Sequence, residues 1–370
     1  MIDFFRPTNP FAAQTERLVA EAQQGGGDLF DIERVCRELE PGDAVAWEAA
    51  WRDLAEKTEA RASAALASGN DTTARGHYFA ANQYYRQSEI FMPPGDPRKA
   101  ERFALAQRNF RAGAALQSPA IECIRVNCGD ESYDGYFCHP REPRAEPYPA
   151  VFLIGGADAY AEEIYFSGRQ IVERGWALLL VDTPGRGSSL YLNGIPARPD
   201  YEVPVAACLD YLSARPEVDA DRLALMGISM AGYYAPRAAA FEDRLKALVS
   251  WCGCYSILDD LYDFFPLLQP TLQRLVGAET DADAREKLAA FSMAGIAGNI
   301  SCPTLVTHGV NDLLMNVEGA KRLFAEIGAA DKTLKIWDGP EGGTGHCNYD
   351  NWSISIPFML DWLEERIAAP

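Results

Sequence analysis

The chain changes its hydrophobic rhythm once, near Pro119. Before that point apolar and aromatic residues recur at spacings of three to four, as in Trp47, Trp51 and Leu54 and again in Tyr78, Ala81 and Tyr85. This is the repeat of helices with one buried face. Turn chemistry at Gly25-Gly26-Gly27, Pro41-Gly42-Asp43, Gly69-Asn70-Asp71 and Pro93-Pro94-Gly95-Asp96-Pro97 separates four candidate helices, with Asp43, Asp71 and Asp96 as possible N-caps. The pattern predicts an all-helical domain over residues 1–116.

Beyond Pro119 the segments become β-branched and alternating. Ile121 to Val126 and Tyr133 to Cys138 flank the turn-like Cys128-Gly129-Asp130 and read as an antiparallel hairpin. From Tyr148 short apolar runs alternate with helical segments: Ala150 to Ile154, Ala177 to Val181, Leu223 to Met226, Ala247 to Trp251, Thr304 to Thr307 and Leu334 to Trp337. Such alternation predicts an α/β domain over residues 117–370, a mostly parallel sheet with helices on both faces. The interval from Trp251 to Thr304 is too long for a simple crossover and carries the aromatic run Tyr255, Tyr262, Phe264 and Phe265. An amphipathic helix packed on the sheet would explain it, but a lid over about 255–300 is the favoured expectation, since long excursions at strand ends often cover a ligand crevice.

Composition narrows the partners. With 34 basic and 53 acidic residues the formal net charge is -19, which disfavours nucleic acid and anionic membrane surfaces and suits a neutral or cationic small molecule. Nine scattered cysteines show no metal-type spacing and read as reduced thiols, so no metal and no cofactor are expected. The start Met1-Ile2-Asp3-Phe4-Phe5-Arg6-Pro7 lacks the basic and apolar regions of a secretory signal, and a cytoplasmic location is expected.

The sharpest local chemistry is Leu223-Ala224-Leu225-Met226-Gly227-Ile228-Ser229-Met230-Ala231-Gly232, an apolar strand running into a Gly-x-Ser-x-small turn and then the helical Tyr233 to Phe241. That context is a nucleophile elbow, although a serine capping an ordinary helix would give the same local pattern. Ala231 stands where glycine is usual and crowds the turn. An acid and then a base should follow the serine in the chain. Asp312 lies just past the strand Pro303 to Thr307. His346 lies in the glycine-rich Gly342 to Cys347 and, of the four histidines, alone follows the acid. A solvated loop aspartate and a surface histidine are the plainer readings of each. His308 is expected to support the acid loop, and His77 to pack within the helical domain or to contribute to a substrate pocket.

An oxyanion hole needs two backbone donors. The residue after the nucleophile supplies Met230, and Leu153-Ile154-Gly155-Gly156-Ala157-Asp158 supplies Ala157, with Gly156 as the alternative. The loop Asp182-Thr183-Pro184-Gly185-Arg186-Gly187-Ser188-Ser189 lacks the lysine and spacing of a phosphate loop and reads as architectural. Tyr160, Tyr233, Tyr234, Phe264 and Phe265 would suit a flat aryl substrate, though core packing explains most such residues.

At these motifs, and at Arg75 to Arg86 and Glu162-Glu163, the chain resembles the α/β-hydrolase superfamily. Within it the resemblance is to the group of FrsA-like esterases, 2,6-dihydroxypseudooxynicotine hydrolase and fungal polyketide-shortening hydrolases. The resemblance implies a dimeric two-domain enzyme with a helical cap-like domain, several members of the group cleaving a carbon-carbon bond beside a ketone. It assigns Ser229 as nucleophile, His346 as base and Asp312 as the residue that orients the imidazole. Carbon-carbon cleavage needs a stabilised carbanion, hence a 1,3-diketone or its vinylogous equivalent, and an extra acid among Asp259, Asp260, Asp263, Glu162 and Glu163 would help. Tyr160, Glu163, Tyr233, Asp260, Phe264 and His77 are the substrate-binding candidates. A carboxylesterase or thioesterase with the same triad is the alternative, and a non-catalytic FrsA-like binding protein is the alternative of another class.

Overall fold

The computed structural model of the protein describes residues 9–143 and 147–367. The Met1–Pro7 stretch read for a targeting signal lies outside the described residues. The chain forms two compact units. One runs to Glu122 and takes in Tyr165–Arg169; the other holds Cys123–Ile164 and the chain from Gln170 onward.

In the first unit the four turn clusters separate five helices among the described residues, not four: α1 (Ala12–Glu21), α2 (Leu29–Arg37), α3 (Ala44–Ala67), α4 (Asp71–Glu89) and α5 (Arg98–Ala115). Asp43 caps α3, its side chain accepting the Ala46 amide at 2.9 Å. Asp71 instead enters the first turn of α4, whose cap position is Asn70. The three-to-four repeat buries Trp47, Trp51 and Tyr84 around Phe11, with Phe11 and Trp47 ring centroids 4.4 Å apart and the Trp47 indole donating to the Gln87 carbonyl at 2.7 Å. Burial of the large rings supplies most of the driving force here.

The second unit contains an eight-stranded sheet. Its strands are β1 (Glu122–Cys128), β2 (Glu131–Cys138), β3 (Tyr148–Ile154), β4 (Ala177–Val181), β5 (Val218–Ile228), β6 (Leu245–Trp251), β7 (Thr304–Gly309) and β8 (Lys332–Trp337). The order is β1-β2-β4-β3-β5-β6-β7-β8. β2 runs antiparallel to β4, and from β4 through β3, β5, β6 and β7 to β8 each successive pair is parallel. This is the α/β-hydrolase fold. β3, β4 and β7 are buried throughout, which explains why they read as unbroken apolar runs. β5 begins five residues before the apolar run and ends two after it: Val218 pairs with Tyr148, and the polar Asp219 to Arg222 lie across a register shift before Leu223 pairs with Ala150.

Helices α6 (Ala161–Glu173), α7 (Gly187–Tyr191), α8 (Glu202–Ser213) and α9 (Ala231–Ala239) follow β3, β4 and β5. The excursion after β6 holds a π-turn at Leu258–Tyr262, the short helices α10 (Gln269–Leu275) and α11 (Asp281–Leu288), and 3-10 turns. Leu261, Tyr262, Leu272, Leu275, Leu288, Phe291 and Met293 within it join the core that β3 and β5 build, while Phe264 is 41% exposed. α12 (Val317–Glu326) and α13 (Trp352–Ile367) complete the unit. No described helix is long and apolar enough to cross a membrane.

The loop after β4 folds around one carboxylate. Asp182 is buried; its Oδ1 accepts the Ala161 amide at 2.8 Å, capping α6, and its Oδ2 accepts the Ser188 amide at 2.7 Å. Burial, and then the neighbouring Glu162 carboxylate, push its carboxyl above the ordinary range, while those two amides pull it back. Gly187 has φ +43°, and a Cβ there would lie 2.0–2.2 Å from the Asp182 carboxylate atoms. Gly187→Ala therefore meets both backbone strain and a collision with a fixed side chain. It is expected to lower the unfolding free energy by about 2–4 kcal/mol, read as a drop in urea midpoint at unchanged slope.

Candidate active site

β5 ends by running straight into α9, and Ser229 sits at the bend with φ +60°. A non-glycine residue holds that left-handed conformation only when its surroundings fix it. Three features do so. The Ser229 amide donates to the Trp251 carbonyl at 2.9 Å, which extends the β5–β6 ladder into the turn. Gly227 passes so near α9 that a Cβ would lie 2.0 Å from the Ala231 carbonyl oxygen. Gly232 lies against β6, where a Cβ would come within 2.5 Å of the Cys252 carbonyl oxygen. The crowding expected at Ala231 is thus absorbed: its methyl is buried, and the close approach that requires glycine on the helix side falls one residue later.

Strands β7 and β8 bring the acid and the base to the same end of the sheet. Asp312 Oδ1 accepts the Leu314 and Met315 amides at 2.8 and 2.9 Å, which aims Oδ2 at His346 Nδ1, 2.7 Å away. His346 Nε2 lies 2.9 Å from Ser229 Oγ. With Nδ1–H donating to the carboxylate, Nε2 is left to accept the serine proton. Burial of the imidazole opposes a positive charge, but the adjacent Asp312 carboxylate outweighs it, and the net effect is a raised proton affinity. Burial likewise opposes ionisation of Asp312, and the His346 ring more than offsets that, so its carboxyl falls below the usual range.

His308 lies beneath this pair, as expected of a supporting residue. Its Nδ1–H donates to the Gly309 carbonyl at 2.9 Å and its Nε2 is 3.8 Å from Asp312 Oδ2. Burial lowers its proton affinity against the pull of the Asp312 carboxylate.

On the oxyanion side Gly156 passes directly over the serine: a Cβ there would lie 2.8 Å from Ser229 Cβ and 3.0 Å from Oγ. Among the described residues no acceptor takes the backbone N–H of Met230, Gly156 or Ala157. Amides left open in this way beside a serine hydroxyl are free to donate to a bound oxygen.

The substrate-binding candidates are placed differently from one another. Tyr233 is fully buried and packs in the core, with its hydroxyl donating to the Pro199 carbonyl at 3.0 Å. Asp260 is likewise engaged: one oxygen accepts the Tyr255 and Ser256 amides, both at 2.9 Å, which ties it to its own turn. Glu163 and Tyr160 are buried at the start of α6, the Tyr160 ring edge-on to Tyr191 at 5.7 Å. His77 is half-buried on α4 of the helical unit, and Phe264 is exposed in the excursion. Of the other proposed acids, Glu162 accepts the Tyr136 hydroxyl at 2.6 Å and Asp263 pairs with Arg285 at 2.7 Å.

Sequence reasoning missed the cysteines beside the base. Cys252 Sγ accepts the Cys347 amide at 3.0 Å, and Cys252 and Cys347 both have positive φ, 60° and 51°. This bond anchors the residue that follows His346 to the end of β6. Trp251 adds a second anchor, its indole donating to Asn348 Oδ1 at 2.9 Å. Donor atoms of Cys252, His346 and Cys347 lie within 4.8 Å of one another, as do those of Cys252, His308 and Asp312. Either set could ligate a soft metal ion only by giving up hydrogen bonds that orient His346 or Asp312.

The linkage between His346 and Asp312 has a measurable sign. Followed by NMR, the His346 ring is expected to titrate above the ordinary histidine value of about 6.5. In Asp312→Asn the carboxylate is gone while burial persists, so the titration should move below that value. An unchanged midpoint in the variant would remove Asp312 as the cause.

Residues 161–369 match the profile of the prolyl oligopeptidase family. A hydrolase of Aspergillus aculeatus, acrC, is 27% identical over 98% of this chain and 97% of its own length. The 20-hydroxy-prefusarin hydrolase FUS2 of Gibberella moniliformis is 28% identical over 95% of each. Among solved structures, that of a 2,6-dihydroxy-pseudo-oxynicotine hydrolase superposes with a TM-score of 0.84 at 25% identity, covering 95% of both chains.

Proposed function

This chain belongs to the prolyl oligopeptidase family, and from that premise we propose that it is a serine-dependent hydrolase cleaving a carbon-carbon bond beside a carbonyl in a small aryl-ketone or polyketide-like substrate. The observation that carries the reading is the unbroken hydrogen-bond chain from Asp312 through His346 to Ser229, with the serine held at the strand-to-helix bend. The likeness to a pseudo-oxynicotine hydrolase and to a prefusarin hydrolase over nearly the whole chain supports the choice of substrate class.

In this mechanism Ser229 Oγ attacks the ketone carbon as His346 Nε2 takes its proton. Asp312 holds the ring in the tautomer that leaves Nε2 free and stabilises the imidazolium. The carbonyl oxygen becomes an oxyanion held by the amides of Met230 and of Ala157 or Gly156. Collapse of the tetrahedral intermediate breaks the bond to the adjacent carbon, whose electron pair departs as an enolate because a second carbonyl stabilises it. The proton on His346 neutralises that leaving group. A water, deprotonated by His346, then hydrolyses the acyl-serine, so that a 1,3-diketone and one water give a carboxylic acid and a ketone.

The same residues would cleave an ester or thioester, since only the leaving group differs. A small-molecule substrate, which suits the acidic net charge, and a homodimeric state, which the family resemblance implies, belong to the same reading, and no cofactor enters the reaction as written.

Two measurements test it. A fluorophosphonate should add to wild type and not to Ser229→Ala, as read by intact mass. Offered a 1-aryl-1,3-diketone and a matched aryl ester together, the wild type should release the carboxylic acid and methyl ketone, and Ser229→Ala should release neither. Ester turnover alone would replace the carbon-carbon assignment with a carboxylesterase, and absence of labelling would replace both with a binding protein.

A further inference from the structure

The loop after β4 carries a buried cation that the mechanism above leaves unused. Arg186 is only 3% exposed. Its guanidinium lies over the Tyr234 ring at 5.0 Å and the Tyr201 ring at 5.7 Å, and these two rings stack on each other at 3.7 Å. Among the described residues no carboxylate forms an ion pair with it, and its Nε has no hydrogen-bond acceptor. A cation taken out of water without a counter-ion is costly, and the aromatic faces return only part of that cost. Such a charge at the centre of a domain calls for a role.

Its hydrogen bond to the backbone indicates that role. Arg186 Nη1 donates to the Gly155 carbonyl. That carbonyl and the Gly156 N–H belong to one planar trans peptide, so fixing the oxygen on one side fixes the hydrogen on the other. Gly156 is the residue that passes over Ser229. Two glycines in succession leave this stretch free to rotate unless something outside it sets its orientation. The second arm of the hole is tied to the same cation: the Tyr234 hydroxyl, on the ring beneath Arg186, donates to Met230 Sδ at 3.7 Å.

We propose that Arg186 is a positioning residue for the oxyanion hole, a buried cation that sets the Gly155–Gly156 peptide and braces Met230 through Tyr234. The inference rests on the serine-hydrolase reading given above. The unpaired positive charge also places a favourable field where negative charge develops during attack, and it does so without facing a permanent anion that would cancel it. The ground state gains little from either effect and the tetrahedral state gains most, which gives the role a kinetic signature.

Arg186→Met and Arg186→Lys, with Ser229→Ala as control, separate the possibilities. Four quantities are read: kcat and KM on the substrate that wild type turns over, affinity for an aryl trifluoromethyl ketone that forms an oxyanion with serine, and affinity for the matching methyl ketone that does not. Arg186→Met is expected to lose about 100-fold in kcat with KM changed only a few-fold. Trifluoromethyl ketone affinity should fall in parallel, and methyl ketone affinity should hold. Arg186→Lys keeps the charge without the planar fork and should lose about tenfold. It decides the matter alone if the methionine variant does not fold. A folded variant with wild-type kcat overturns the role, as does a loss of kcat with both ketone affinities unchanged. Absence of Ser229-dependent turnover in wild type overturns the serine-hydrolase reading together with this one, so the two failures are told apart by the wild-type measurement.

Discussion

Ser229 can face His346 only because its backbone turns through φ +60° between a strand and a helix that nearly touch. The turn places the hydroxyl beyond the sheet and starts α9 at the same point. The helix cannot approach that closely unless Gly227 and Gly232 lack side chains, since each has a backbone oxygen within 2.5 Å of where a Cβ would sit. The sheet order follows from the same constraint. β5 lies at the centre, flanked by β3 and β6, so the loops that end those two strands border the serine. The loop after β3 presents Gly156 to the serine, and the β6 end supplies the Trp251 carbonyl that anchors its amide.

A tight turn fixes one group, but a hydrogen-bond chain needs three to agree within a fraction of an ångström. The structure meets that need by giving each member its own internal anchors. Asp312 is oriented by two amides, and the His346 loop is pinned through the Cys252 sulfur and the Asn348 side chain. These anchors are buried, where unmade hydrogen bonds are costly, so alternative orientations are disfavoured by more than the bonds alone would suggest. Strain collects where such anchoring is dense: the non-glycine residues with positive φ among the described residues are Ser229, Cys252, Cys347 and Asn348, all at this end of the sheet.

The sheet and the cluster of Ser229, His346 and Asp312 were legible in the sequence for definite reasons. Buried parallel strands must be apolar on both faces, so β3 and β4 stood out as unbroken runs. Chain order left His346 as the one histidine able to follow the acid. Strand ends were less legible, because Val218, ahead of the polar Asp219 to Arg222, and the Lys332-Thr333 start of β8 pair through backbone groups that carry no side-chain signal. The fifth helix followed from the same turn clusters once each break was given a helix on either side. The hydrogen-bond partners of Tyr233 and Asp260 were hidden for a related reason. A tyrosine or aspartate near a reactive serine reads the same whether its polar atom meets a substrate or a carbonyl and two amides of its own chain, and only the fold distinguishes them.

Arg186 and Asp182 lie in one short loop and show why a motif can be architectural and still bear on chemistry. Asp182 holds its loop together by accepting two amides, and Gly187 gives those amides access to it. The loop so fixed can carry a cation inward at Arg186 and keep it there against the stacked pair of Tyr201 and Tyr234. If the carboxylate of Asp182 met the guanidinium directly, the charge would be neutralised and its field on the serine largely lost. By spending its acceptors on backbone amides, Asp182 shapes the loop without quenching the charge. The separation of the two roles is what allows a residue at the end of β4 to act on a reaction centred on β5.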